Sequence, residues 1–160
     1  MPLASRGRFA VRVGMARVEI ALPDTFLFRT EIAVRIGDVN YGGHVGNDTV
    51  LSIAHEARVR FFAAHGFAEL DVAGAGIILA DAAVVYRAEG RYGMTLAVEI
   101  AADDVRTRGC DLLYRITDVA TGQEIARVKT GLVFFDYAAR RVVTMPAVFR
   151  EVVGAPAHRA

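Results

Sequence analysis

Two hydrophobic periodicities follow one another along the chain, and their order predicts its secondary structure. From Phe26 to Ile36, apolar and β-branched residues alternate with polar or small ones, which is typical of a strand. From Val50 to Phe61, apolar residues instead recur at spacings of three and four, which predicts one long amphipathic helix. Gly66 follows the last periodic residue and is expected to end that helix in a left-handed conformation.

The second half of the chain has the pattern of strands. Turn residues separate four alternating segments, at about 77–87, 94–104, 108–118 and 124–136, and we expect an antiparallel meander there. The apolar face of such a sheet needs a cover, so the lone helix must pack on it. A short helix is expected after Pro146. The predicted fold class is therefore α+β.

The length of the chain predicts one domain. It has 160 residues and a mass of 17.3 kDa, and we assign residues 15–153 to a single domain. Residues 1–14 carry three arginines and no acid, and we expect a disordered or artefactual extension, with Met15 as the natural start. Residues 154–160 are expected to be a frayed tail.

Composition excludes several classes of function. A hydrophobic fraction of 54% excludes a disordered chain and favours a homodimer or homotetramer that buries further surface. The net charge of +1 gives no footprint for nucleic acid, and charged residues interrupt every apolar run, so we expect no membrane partner. The single cysteine, Cys110, permits no internal disulfide and is expected in the core, which makes a cytoplasmic location the default.

Metal and nucleotide motifs are missing from the sequence. The four histidines, at 44, 55, 65 and 158, and the one cysteine have no metal-ligand spacing, so we predict a site without metal or cofactor. The chain also contains neither the nucleophile elbow of serine hydrolases nor a phosphate-binding P-loop.

The turn between the predicted strand and helix is the most informative segment. It reads RIGDVNYGGHVGND at 35–48 and gathers acids, amides, glycines and a histidine. The free N–H groups of the helix that follows suit an oxyanion or a polarised carbonyl. The alternative is that these residues only make a connection, since Asn, Asp and Gly are common in turns, with Asn47 or Asp48 as the N-cap.

The same segment resembles a known family. Residues 37–47 read GDVNYGGHVGN and residues 55–58 read HEAR. They are similar to the pattern G-D-x-D-x-x-G-H-V-N-N, followed by E-x-A-R, of the 4-hydroxybenzoyl-CoA thioesterase-like acyl-CoA thioesterases. The resemblance covers about residues 26–152. It implies the hot-dog fold, in which about five or six antiparallel strands wrap around one long helix, with acyl-CoA as substrate and sites between subunits.

The predicted catalytic residues are Asp38, Asn40 and Glu56. The family's usual catalytic aspartate is matched here by Asn40, and an amide can orient water but cannot accept a proton. Asp38, in the same turn, and Glu56, on the helix, are carboxylates that could compensate. The alternatives are that Asp38 accepts backbone hydrogen bonds in the turn and that Glu56 forms an ion pair with Arg60.

Six further residues are predicted to bind substrate: Gly43, His44, Asn47, Asp81, Arg87 and Arg91. The backbone N–H groups of Gly43 and His44 are candidates for polarising the thioester oxygen. The two arginines follow a strand where hot-dog proteins contact CoA phosphates, although a solvated strand end explains them equally. Asp81 is a lone acid in an apolar strand. It lies either on a solvent face or in a cleft shared with a second subunit.

The sequence supports two functions. The first is hydrolysis of an acyl-CoA thioester to a free acid and CoA, with Asp38, Asn40 and Glu56 arranging the water. The second is binding of acyl-CoA without chemistry, in which Asn40 marks a lost catalytic group. The sequence specifies neither the acyl group nor the choice between dimer and tetramer, because both depend on packing.

Overall fold

The structure is a computed structural model and describes residues 17–154. The predicted N-terminal extension and residues 155–160 of the predicted tail lie outside the described residues. Between these limits the chain forms β1 (Phe28–Ala33), a 3-10 turn (Ile36–Asp38), α1 (Asn47–Ala64), β2 (Gly76–Tyr86), β3 (Thr95–Asp103), β4 (Gly109–Asp118), β5 (Glu124–Asp136), β6 (Arg141–Val142) and α2 (Ala147–Gly154).

All six strands belong to one antiparallel sheet. Its order is β1-β3-β4-β5-β2, and the two-residue β6 pairs with the end of β5. The long predicted strands agree with the structure to within a residue or two, and α2 begins directly after Pro146 as expected. The first strand is shorter than predicted, because the chain leaves the sheet after Ala33 and enters the 3-10 turn.

The predicted meander is only partly correct. Strands β3, β4 and β5 do follow one another, but β2 pairs with β5 at the far edge instead of with β3. The reason is that β1 occupies the free side of β3, where Phe28 pairs with Ile100. Strand periodicity specifies which face of a strand is buried, but it carries no information about which strand lies beside it.

The helix α1 covers the inner face of the sheet, as the apolar pattern predicts. The periodic residues of the predicted face, from Val50 to Phe61, are buried, and Ala54, Ala57 and Phe61 are fully buried. Leu51, which the pattern predicts to widen that face, is instead 38% exposed. The sheet contributes the other half of the core, mainly through Val98, Ile100, Leu112, Tyr114, Ile116, Val128, Leu132 and Phe134. Cys110 lies in this core as predicted, and burial raises the pKa of its thiol to about 12.

The prediction for the C-terminal end of α1 is confirmed, and the prediction for its N-terminal end is wrong. Gly66 adopts φ of +76°, as predicted for the glycine that follows a helix. The predicted N-cap is wrong, because Gly46 caps the helix and Asn47 and Asp48 lie in its first turn. None of the helices in residues 17–154 is long and apolar enough to cross a membrane.

Candidate active site

The loop before α1 begins with a 3-10 turn that Asp38 holds in place. Its carboxylate accepts hydrogen bonds from the backbone N–H of Arg35 at 2.8 Å and from the Arg35 guanidinium at 3.2 and 3.3 Å. Burial acts to raise the pKa of Asp38, but the hydrogen bonds and charge of Arg35 outweigh it and lower the pKa below its ordinary value. Asp38 is therefore a structural acceptor in this turn, and its low basicity weakens it as a proton acceptor.

The segment from Asn40 to His44 forms a tight turn closed by its own backbone. The Asn40 N–H donates to the His44 carbonyl at 2.9 Å, and the Gly43 N–H donates to the Asn40 carbonyl at 3.0 Å. The Asn40 side-chain oxygen accepts the N–H of Gly42 at 2.8 Å. The N–H of Gly43 is thus used inside the turn. That of His44 has no acceptor among residues 17–154.

The turn delivers the chain to the N-terminus of α1. The Gly46 N–H donates to the Asp38 carbonyl at 3.1 Å, and the Val45 N–H donates to the Gly90 carbonyl at 2.8 Å. The first intrahelical bond runs from Val50 to Gly46, so the N–H groups of the first turn have no partner within the helix. The helix dipole adds partial positive charge at this point.

The imidazole of His44 is half-buried beside this helix end. Its Nδ1 lies 3.3 Å from the carbonyl oxygen of Val45. Because a carbonyl can only accept, Nδ1 carries the hydrogen and Nε2 of the neutral ring keeps its lone pair. A Cβ built on Gly42 would lie 3.2 Å from both His44 Nε2 and the Asn40 side-chain oxygen, so both atoms border the space above that glycine.

A cleft of about 260 Å³ opens between the start of α1 and the end of β2. It brings together three of the predicted substrate-binding residues, His44, Asn47 and Arg87. Tyr86 also lines it, and its hydroxyl donates to the carbonyl of Asn47 at 2.9 Å. Sequence reasoning missed Tyr86, since no local pattern indicates that a residue 39 positions from Asn47 contacts it.

Glu56 borders a different cleft, of about 420 Å³, between β1 and α1. Asp38 lines the same cleft, so the two predicted carboxylates lie on one surface. Glu56 is half-exposed and accepts a hydrogen bond from Arg60 at 2.8 Å, the ion pair that the sequence offered as its alternative role. Arg60 also donates to the carbonyl of Glu31 at 2.9 Å and so ties α1 to β1.

Asp81, Arg87 and Arg91 are each in an ion pair. The carboxylate of Asp81 lies 2.7 Å from the ammonium of Lys129, and the hydrogen bond from Lys129 lowers the pKa of Asp81. Both line a third cleft, apart from His44 and Asn47. Arg87 lies 3.4 Å from a carboxylate oxygen of Glu124, and Arg91 lies 3.0 Å from one of Glu89. Both arginines remain exposed.

Arg58, from the segment that resembles E-x-A-R, has a structural position. It is buried on α1 and forms an ion pair with Glu69, which also lies 3.0 Å from the His55 ring. These contacts tie the helix to the loop that leads into β2. No group of His, Cys, Asp and Glu residues suited to a metal ion occurs in residues 17–154.

The architecture and the loop together define the class of protein. One antiparallel sheet wraps around a single long helix, and a polar, glycine-rich turn leads into that helix. This is the hot-dog fold of thioesterases. Residues 34–153 match the Thioesterase-like superfamily, and the chain belongs to that family.

Solved structures with the same fold include several thioesterases. A 1,4-dihydroxy-2-naphthoyl-CoA thioesterase from Synechocystis aligns with a TM-score of 0.74 at 20% identity, covering 82% of this chain and 98% of the other. A protein from Pseudomonas aeruginosa, provisionally named a thioesterase, aligns at 0.73 and 26% identity, covering 79% and 97%. A Staphylococcus aureus protein solved in complex with CoA aligns at 0.73 and 15% identity, covering 86% and 87%. No curated protein matches the chain.

Proposed function

We propose that this protein hydrolyses an acyl-CoA thioester to a free acid and CoA. Membership of the Thioesterase-like superfamily supports thioester hydrolysis as the class of activity. One observation carries the proposal: the turn, the free N–H groups at the start of α1 and Arg87, which directly follows β2, all lie at one cleft. A thioester carbonyl and an anionic CoA are complementary to those groups.

In this proposal the thioester oxygen lies against backbone N–H groups at the start of α1. Negative charge develops on that oxygen when water attacks, and donors fixed by the fold stabilise it without reorganising. The N–H of His44 and those of the first helical turn are available for this purpose, whereas the N–H of Gly43 is used within its turn. Asn40 would orient the water through its side-chain oxygen, which has a second lone pair.

Arg87 and Arg91 would contact the CoA phosphates. Both are exposed, and their ion-pair partners among the described residues are Glu124 and Glu89. Such pairs are weak in water, so a phosphate can displace the carboxylate at little cost. The Staphylococcus aureus relative solved with CoA supports CoA as the common part of the ligand.

We also propose that the active form is a homodimer or homotetramer. Strand β2 is long and lies at an edge of the sheet, and Leu79 is 46% exposed there. A long apolar edge strand favours pairing with another chain. Since Asp81 lies on this strand, its role in substrate binding remains a prediction that needs a second copy beside it.

Thiol release from purified protein tests the proposed reaction. Benzoyl-CoA, acetyl-CoA and palmitoyl-CoA would represent aryl, short and long acyl groups, and we expect turnover of at least one of them. The Glu56→Gln variant tests whether that carboxylate takes part, and Ser52→Ala is a matched control because Ser52 lines the same cleft without an acid. Loss of turnover in the first variant alone would assign a catalytic role to Glu56.

Binding of acyl-CoA without hydrolysis is the second candidate, and the amide at position 40 favours it. Calorimetry would separate the two functions. Heat of binding from an acyl-CoA, with no CoA released over hours, would support the binding protein. Rapid thiol release would exclude it.

A further inference from the structure

We propose that His44 is the general base of this site and takes the role that a carboxylate at position 40 would otherwise have. This inference rests on the proposed hydrolysis of acyl-CoA. It concerns which atom accepts the proton from the attacking water, a step that an amide at Asn40 cannot perform.

The two predicted carboxylates are poorly suited to this step. Asp38 accepts hydrogen bonds from Arg35, and these lower the pKa of its carboxyl, so the carboxylate is a weak base. Glu56 is paired with Arg60 and opens onto the cleft beside β1. The free N–H groups of α1 lie instead beside the cleft that His44 lines. A base must be within hydrogen-bonding reach of the water it activates, so position favours the histidine.

The hydrogen bonding of His44 prepares it as a proton acceptor. The carbonyl of Val45 holds the hydrogen on Nδ1, so the Nε2 lone pair is free in the neutral ring. Nε2 and the Asn40 side-chain oxygen border the same space above Gly42. These two atoms are near neighbours, and a water that bridges them would donate one hydrogen to each, which directs a lone pair of its oxygen away from both and toward a thioester.

The reaction then balances without any other reactant. Nε2 takes a proton from the water as the water oxygen attacks the thioester carbon, and the carbonyl oxygen becomes an oxyanion held by backbone N–H groups. When the carbonyl re-forms, the carbon–sulfur bond breaks and the thiolate leaves. The imidazolium returns its proton to the sulfur. The products are the carboxylic acid and CoA, and the histidine is neutral again.

The charged groups around His44 come from the loop after β2 and from α1. Arg87 and Glu89 face the same cleft from the loop after β2, and Tyr86 faces it from the last position of that strand. Asp48 lies in the first turn of α1. Arg87 pairs with Glu124, which Arg127 also holds, and Glu89 pairs with Arg91. No ion pair among residues 17–154 includes the imidazole of His44.

The test compares His44→Asn with His65→Asn on whichever acyl-CoA the wild type hydrolyses. The side-chain amide of asparagine keeps a hydrogen-bond donor near the position of the His44 Nδ1, but it has no basic nitrogen. His65 is a matched control because its Nδ1 also lies against a backbone carbonyl, that of Phe61 at 2.9 Å, at the opposite end of α1. We expect His44→Asn to lower kcat roughly 100- to 10,000-fold, the range for loss of a general base, with KM nearly unchanged. His65→Asn should retain wild-type kcat.

Two further readouts separate a base from a merely structural residue. The kcat/KM of the wild type should fall on the acid side of its pH profile, and this acid limb should be lost in His44→Asn. Added imidazole should restore part of the activity of His44→Ala, because it can occupy the vacated space.

The outcomes are distinguishable. Turnover that survives in His44→Asn would show that His44 is not the general base, and the proposed thioesterase activity would stand. Loss of turnover in Glu56→Gln would then assign the role of general base to Glu56. A wild type that binds acyl-CoA but releases no thiol from any of the three substrates would refute the proposed function, and the base with it.

Discussion

At the scale of single residues, Asp38 shows how one buried carboxylate organises a loop. It accepts three hydrogen bonds from Arg35, and its own carbonyl accepts the N–H of Gly46, the residue that caps α1. The turn, the cap and the helix start are therefore fixed relative to one another. Any chemistry at the N-terminus of α1 depends on this arrangement.

The Asp38→Ala variant should lose about 1 kcal/mol of unfolding free energy at pH 7, the usual effect of removing a capping carboxylate. The pKa of Asp38 is lowered in the folded state, so its contribution is present above the unfolded pKa. It should fade as pH falls below about 4 and the carboxylate protonates. Urea unfolding at pH 7 and at pH 3 measures this difference.

Asp24→Ala is the matched control for that variant, because Asp24 is exposed and accepts no hydrogen bond among the described residues. Its stability should equal that of the wild type at both pH values. An Asp38→Ala deficit that is equal at pH 7 and pH 3 would mean that the charge of Asp38 does not stabilise the turn.

At the scale of secondary-structure elements, local chemistry explains most of what the sequence predicted. Helix α1 and its terminal glycine follow from apolar spacing and from backbone freedom, both of which are local. The predicted N-cap is wrong, because the hydrogen bond from Gly46 to Asp38 depends on how the preceding turn folds. The shortening of β1 has the same cause, since the 3-10 turn ends the strand early.

Gly66→Ala tests the left-handed cap of α1. A Cβ at this position would meet no atom within 4 Å, so only backbone strain changes. With φ at +76°, an alanine should lower the unfolding free energy by about 1 kcal/mol. Gly37→Ala is a matched control, because it also has open space around its Cβ but no positive φ. Equal stability of the two variants would contradict the cap, and thermal unfolding measures both.

At the scale of the whole molecule, the edge strand β2 connects the fold with the proposed assembly. Among residues 17–154 it pairs only with β5, and its residues are largely apolar. Its last residue, Tyr86, and the next residue, Arg87, form one wall of the cleft at His44. A second copy on this edge would therefore lie close to the candidate site.

A charge on this edge should prevent assembly. We expect the wild type to sediment as a dimer or tetramer and Leu79→Lys to sediment as a monomer with reduced turnover, because lysine on an edge strand opposes pairing. Val142→Lys is the control, since Val142 is 39% exposed, close to the 46% of Leu79, but lies on the two-residue β6. Sedimentation velocity measures all three. If Leu79→Lys assembles like the wild type, the interface does not lie on this edge of β2.

The sequence by itself determined the features that depend on neighbours along the chain: the helix and its buried face, the strands, and the polar turn that leads into the helix. Periodicity and turn chemistry act within a few residues, so these features can be predicted from the sequence alone. Tertiary structure decided what depends on distant residues. It placed β2 beside β5, set Tyr86 against Asn47, and paired Asp81 with Lys129. Of the two pairs that the predicted carboxylates form with arginines, Glu56 with Arg60 follows from helical spacing, whereas Asp38 with Arg35 requires the 3-10 turn that the sequence did not predict.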